Sequence, residues 1–166
     1  MIFGLTLLGT IHTAISLVAV VAAIWAFVRD KAILAETGLG KVYIWTTVLT
    51  CLTGFGIFQH GGFGKPHALG IITLVTLLIA ALAGRQQLFG SLSRYVETVA
   101  YSITFFFHMI PAVTETSTRL PLGRPLLPGA EAPELVTATG VMFLLFLIGA
   151  TAQVLRLRSG RQLAVA

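Results

Sequence analysis

Four histidines are the residues of this 166-residue chain whose side chains could do chemistry together. His12, His60, His67 and His108 fall in the outer parts of the first four of five apolar segments, near the same face of a predicted membrane. Histidine is rare within lipid and costly there when it has no partner. We therefore expect these histidines to form one site for a metal, a haem or a proton.

His12 and His108 are the predicted cofactor ligands, because both lie inside their apolar segments. Haem iron can take two axial imidazoles from facing helices of a bundle, and a non-covalent haem b requires no attachment motif. The non-haem alternative is a Cu, Zn or Fe ion held by three or four of the histidines, with Glu115 as a further ligand. The competing interpretation is structural: hydrogen-bonded histidines within the bundle, and interfacial histidines at the turn that carries His60 and His67.

A polar stripe leads along the fourth segment towards His108. Glu97, Tyr101 and Thr104 precede it at helical spacing and predict a proton path from the inner side of the membrane to the outer site. The alternative is that Glu97 pairs with Arg94 at the wet end of the segment.

Glycines gather at the same outer level as the histidines. They either bring helices into close contact or leave space for a flat ligand, and helix packing is the favoured interpretation. The glycines concerned are Gly9, Gly54, Gly56, Gly70 and Gly140.

Composition predicts the elements that must hold these residues. The chain is 56% hydrophobic and 10% charged, whereas a soluble domain carries about a quarter charged residues. Apolar runs near the ~20 residues that a bilayer core requires predict an all-α bundle of five transmembrane helices in a single domain, 1–166. The predicted spans are 2–28, 42–58, 66–83, 96–113 and 136–155, and the longest loop, 114–134, lies outside and could cover the mouth.

The positive charge predicts orientation and gives no indication of nucleic acid binding. Cytoplasmic loops of membrane proteins are enriched in Lys and Arg. With the N-terminus outside and the C-terminus inside, eight of the eleven basic residues lie inside. They are Arg29, Lys31, Lys41, Arg85, Arg94, Arg156, Arg158 and Arg161, against Lys65, Arg119 and Arg124 outside. The predicted location is the bacterial inner membrane, with several passes.

Three short motifs carry a resemblance. They are Leu39-Gly40-Lys41-Val42-Tyr43, Gly54-Phe55-Gly56 and Ser93-Arg94-Tyr95. With the histidine of the first span they resemble, over roughly residues 7–112, a family of small bacterial integral membrane proteins of unknown function. Many members carry a histidine just before the Leu-Gly motif, where this chain has Glu36-Thr37-Gly38. The resemblance implies a multi-span fold and no settled activity; the layout alone is similar to small cytochrome b membrane proteins.

These observations lead to one leading functional hypothesis and two alternatives. The first is a membrane redox protein, an oxidoreductase in its enzymatic form, that passes electrons between a quinone and an outer acceptor. The second is a non-enzymatic accessory subunit of a larger membrane complex, and the third is a metal or proton transporter. The expected partners are the lipid bilayer, a quinone or other membrane subunits, and further copies of the chain in a homo-oligomer.

Overall fold

The computed structural model describes residues 6–58 and 62–163, and in that part the chain is built from α-helices and one 3-10 turn at Gly90–Leu92. The predicted all-helical class is confirmed. The helices are α1 (Leu7–Arg29), α2 (Gly38–Gly54), α3 (Lys65–Gln86), α4 (Ser93–Arg119) and α5 (Pro133–Leu163).

Four of these helices, α1, α3, α4 and α5, are long and apolar enough to cross a membrane. The helix α2 has 17 residues, so it is about 25 Å long at 1.5 Å per residue, against a hydrocarbon core of about 30 Å. The multi-pass character is thus supported by four helices of the described part, and a fifth crossing by α2 stays a prediction.

Each helix departs from its predicted span at one end or both, and local interactions explain the differences at the start of α2 and the end of α4. The helix α2 begins four residues before the predicted 42–58 because the Thr37 hydroxyl caps it by accepting the N–H of Gly40, and it ends at Gly54. The helix α4 continues through Pro111 to Arg119, so the predicted loop 114–134 shortens to 120–132. Pro111 removes one helical hydrogen bond, and an ion pair between Glu115 and Arg119 supports the turn beyond it.

The first four helices form a closed ring, in which α1 packs on α2, α2 on α3, α3 on α4 and α4 on α1. Small residues allow the backbones of α1 and its neighbours to approach closely. Ala19, Ala23 and Ala26 of α1 are completely buried, and so is Tyr43 of α2. This ring holds His12, His67 and His108.

The helix α5 lies outside the ring and packs on α4. Phe106 of α4 contacts Phe143 and Phe146 of α5, with ring centroids 5.6 and 6.0 Å apart. Buried Gln153 accepts a hydrogen bond from Ser102 of α4 at 2.8 Å and donates to the carbonyl oxygen of Lys31 at 2.9 Å. This amide therefore ties α5 both to α4 and to the connection between α1 and α2.

Gly40 gives a direct test of this packing. A Cβ atom there would collide with the carbonyl oxygen of Leu34, a backbone atom that cannot rotate away, whereas a Cβ atom at Gly38 meets nothing within 4 Å. We expect Gly40→Ala to lower the free energy of unfolding by about 2 kcal/mol or more. Gly38→Ala, the matched control, should change it by less than about 1 kcal/mol. Thermal unfolding of both variants in detergent checks this, and equal midpoints would contradict the packing of the α1–α2 connection on α2.

Candidate functional site

The helix α2 positions both predicted cofactor ligands. Nδ1 of His12, on α1, lies 3.1 Å from Oγ1 of Thr53, and Nε2 of His108, on α4, lies 3.1 Å from Oγ1 of Thr47. The two threonines are six residues apart, which is about 9 Å along the helix. Helices α1 and α4 therefore present their histidines to the same neighbour.

The threonine hydroxyls determine which imidazole nitrogen carries the proton. Thr47 donates its hydrogen to the carbonyl oxygen of Tyr43 at 2.7 Å, and Thr53 donates to that of Leu49 at 2.8 Å. Because a hydroxyl has one hydrogen, each threonine oxygen is left to accept from the histidine. This hydrogen-bonding pattern assigns the tautomers: His12 is protonated on Nδ1 and His108 on Nε2.

The opposite nitrogen of each ring keeps its lone pair. These atoms are Nε2 of His12 and Nδ1 of His108. A metal-binding imidazole has the same arrangement, since it donates its other N–H to an oxygen that holds the ring in place. Thr53 and Thr47 occupy the position of that supporting oxygen acceptor.

The two rings differ in their exposure. His108 is 6% exposed and His12 is half-buried. Tyr43 packs edge to face on His108, with ring centroids 6.1 Å apart. The two imidazoles lie within electrostatic reach of each other, and the carboxylate of Glu115 lies within reach of His12. The structure thus brings the two predicted ligands to the same helix, α2, at threonines that lie about 9 Å apart along it.

The other two predicted ligands do not join them in the described part of the chain. His67 lies in the first turn of α3, where its Nδ1 accepts the N–H of Gly64 at 3.2 Å. This bond leaves the proton on Nε2, so His67 is a hydrogen-bond donor there and would have to change tautomer to bind a metal. His60 lies outside the described residues. Within 6–58 and 62–163 there is no group of three or more His, Cys, Asp or Glu residues that could hold a metal ion, so the site of three or four imidazoles stays a prediction.

The polar stripe on α4 turns towards α2 and does not run straight to His108. Thr104 accepts the hydroxyl of Tyr43 at 2.7 Å and donates to the carbonyl oxygen of Tyr101 at 2.7 Å. These bonds form one chain, from Tyr43 through Thr104 to the carbonyl of Tyr101. A second chain runs from His108 through Thr47 to the carbonyl of Tyr43. Each of these chains ends on a backbone carbonyl, which accepts hydrogen bonds but has no proton to pass on. These bonds fasten α4 to α2, and the proton path stays a prediction.

Glu97, the predicted entrance of that path, packs against α3. A Cβ atom at Gly84 would collide with the Glu97 carboxylate, so the missing side chain of Gly84 makes room for it. Glu97 is half-buried and lies within electrostatic reach of Arg94 and Glu36. None of the three ion pairs among the described residues joins Glu97 to Arg94.

The glycines of the outer level accommodate side chains of this chain. A Cβ atom on Gly54 would lie 3.2 Å from Cε1 of His12, and one on Gly56 would lie 2.9 Å from Leu8. One on Gly70 would lie 2.9 Å from the ring of Phe55. These distances support the packing interpretation at three of the five glycines, while Gly140 has nothing within 4 Å.

On α2, helical spacing predicts a polar row formed by Tyr43, Thr46, Thr50 and Thr53, and the key acceptor, Thr47, lies outside it. The buried face of the helix follows Tyr43, Thr47 and Thr50 instead. The spacing of four between Tyr43 and Thr47 was the available signal, since residues four apart share a helical face. Gln153, which links α5 to the ring, is buried. Its sequence signal was a single amide side chain within a largely apolar helix.

Comparisons with protein-family models, with curated proteins and with solved structures find no match for this chain. The resemblance to small bacterial membrane proteins of unknown function therefore stays a prediction, and the functional argument rests on the geometry above.

The threonine–histidine bonds predict a difference between two neighbouring positions. Thr47→Val has nearly the same shape but leaves the N–H of buried His108 without an acceptor, so we expect a loss of about 1–3 kcal/mol in the free energy of unfolding. Thr46→Val is the matched control, because the Thr46 hydroxyl bonds only backbone carbonyls of its own helix, at Val42 and Tyr43. Chemical unfolding in detergent measures both, and a Thr46 loss as large as that at Thr47 would contradict the assigned role.

Proposed function

We propose that this chain is a multi-pass membrane redox protein in which His12 and His108 bind a haem b or a metal ion. One observation carries the proposal: two imidazoles on different helices are each held by a threonine of α2, in the tautomer that leaves a nitrogen lone pair free. Imidazole nitrogen is a ligand for Cu, Fe and Zn ions and for haem iron.

Between these cofactors, a redox-active ion requires the smaller rearrangement. His12 already fills the space beside Gly54, so a haem between the histidines would require α1 to move away from α2. An ion requires one or two further ligands, one of which Glu115 of α4 would supply on leaving its ion pair with Arg119. Copper and iron change oxidation state by one electron, whereas zinc does not. We therefore favour copper or iron for the electron-transfer role.

The residues of the bundle have defined tasks in this proposal. Thr53 and Thr47 orient the imidazoles and keep the proton of each ring on the nitrogen that faces the threonine. This hydrogen bond raises the basicity of the other ring nitrogen, which would bind the cofactor. The apolar packing around His108 limits access of water and lowers the local dielectric constant, which adjusts the reduction potential of a bound ion. Electrons are then exchanged singly with a membrane quinone and an acceptor on the outer side.

An accessory subunit of a larger membrane complex is the second candidate. The helix α5 packs on α4 and leaves Leu144, Leu145 and Ile148 more than half exposed. Such a face suits contact with another subunit as well as with lipid. In that function His12 and His108 act only as structural hydrogen-bond donors to α2.

The proposed orientation places the N-terminus outside and the C-terminus in the cytoplasm of a bacterium. One contact supports placing Lys31 and Arg156 on the same side of the membrane. Gln153 of α5 bonds the carbonyl of Lys31 and lies one turn before Arg156. We expect a reporter enzyme fused after Arg161 to behave as cytoplasmic. A fused reporter that is active only in the periplasm would contradict the orientation and leave the packing unaffected.

Cofactor content provides the main test. The protein purified from membranes should contain haem b, seen in its visible spectrum, or copper or iron, measured by elemental analysis. We expect His12→Ala and His108→Ala each to lower that content at least about tenfold, since a lost ligand costs 1.4 kcal/mol or more of binding free energy. His67→Ala, the comparison, should lower it much less, as should His60→Ala.

Retained folding is part of this test, so each variant is also compared with the wild type by circular dichroism. Equal cofactor content in all four variants, or none in the wild type after growth with copper and iron, would reject the redox proposal. The second candidate would then remain.

A further inference from the structure

His67 has the one buried side-chain nitrogen or oxygen atom that lacks a hydrogen-bond partner within residues 6–58 and 62–163. This atom is Nε2, in a side chain of a residue that is 6% exposed. Because Nδ1 accepts the N–H of Gly64, Nε2 carries the proton of the neutral ring. An unsatisfied buried donor is rare in folded proteins and indicates either strain or a missing partner.

Two phenylalanines enclose the imidazole of His67. Phe58 stacks on it with ring centroids 5.0 Å apart and planes 25° apart, and Phe63 lies tilted against it at 5.3 Å and 30°. Both phenylalanines are themselves largely exposed, at 59% and 69%. We call these three residues the aromatic clamp. Its outer surface is apolar, and its only unsatisfied polar atom is a donor.

We propose that the aromatic clamp binds the headgroup of a membrane quinone, with a phenylalanine ring turning aside so that the buried N–H of His67 donates to a quinone carbonyl oxygen. A quinone has an uncharged, flat ring with carbonyl acceptors and an apolar tail, so it complements one donor among exposed aromatic rings. A metal ion does not fit, because Nε2 is protonated. Lys65, in the same first turn of α3, pairs with Glu131 at 3.1 Å, so that turn offers no free cation to an anionic ligand.

The clamp lies one helix away from the proposed redox site. The ring of His12 packs against Gly54, and the ring of the next residue, Phe55, packs against Gly70, one turn beyond His67 on α3. A quinone at the clamp would therefore stand close to the end of α2 against which His12 of α1 packs. Its role as electron partner rests on the proposed function, but its binding requires only His67 and the phenylalanines.

Two substitutions separate the functions of the two imidazole nitrogens. His67→Asn places an amide oxygen where Nδ1 accepts from Gly64 and removes the donor at Nε2. His67→Gln places an amide N–H near Nε2 and removes the cap. The probe is a short-tailed benzoquinone with ¹³C-labelled carbonyl groups, added to the purified full-length protein in detergent, with binding measured by titration and the carbonyl stretch by infrared difference spectroscopy.

In the wild type we expect one carbonyl stretch to move to lower frequency, as in a hydrogen-bonded carbonyl. His67→Asn should abolish this change and weaken binding about tenfold, a loss of 1.4 kcal/mol. His67→Gln should keep the change. The proposal would be overturned if wild type and His67→Asn bound the benzoquinone with equal affinity. It would also be overturned if the carbonyl frequency with the wild type were identical to that in detergent alone.

The same samples distinguish this proposal from the redox function. His67→Asn should keep the wild-type metal or haem content, and His12→Ala should keep the carbonyl change. If the wild type contains no metal or haem but still shifts the carbonyl stretch, only the redox site is rejected. If it contains the cofactor but does not shift the carbonyl stretch, only the quinone site is rejected.

Discussion

The contacts between α2 and the two histidines depend on one constraint: the hydroxyl groups of Thr47 and Thr53 each have a single hydrogen atom to donate. Thr47 and Thr53 give that hydrogen to a carbonyl of their own helix, so their oxygen atoms can only accept from another helix. His108 and His12 supply the donors from α4 and α1. In an apolar environment water offers no substitute partner, so these bonds determine how the imidazoles are turned, and the bond of His108 ties α4 to α2 across the ring.

Close backbone approach is the condition under which these short side chains can meet. Alanines 19, 23 and 26 on α1 carry too little volume to hold the helices apart, and Gly54 makes room for the ring of His12. Where lipid or detergent replaces water, helix association draws little on the hydrophobic effect and much on such packing. The polar bonds and the small residues therefore act together: the small residues set the distance, and the threonines set the orientation.

The histidines differ in chemical character although they share a residue type. His12 and His108 give their N–H groups to threonine oxygen atoms and retain a lone pair, whereas His67 accepts from the backbone of Gly64 and retains an N–H. The first two suit a metal and the third suits a carbonyl acceptor. Of the four predicted ligands, two therefore share one hydrogen-bonding pattern and His67 has the opposite one, while His60 lies outside the described residues.

The sequence by itself determined the class of the protein. Long apolar runs with few charges require helices, since only a helix satisfies all backbone groups within one segment, and the positions of Arg and Lys predict an orientation. It also identified His12, His108 and the polar stripe on α4 as candidates, because buried polar residues are exceptional in such runs. Only the tertiary structure decided that Thr47, and not Thr46, faces His108, and which nitrogen of each histidine is protonated. Those outcomes depend on which neighbouring helix supplies the acceptor, and spacing along one helix contains no information about its neighbour.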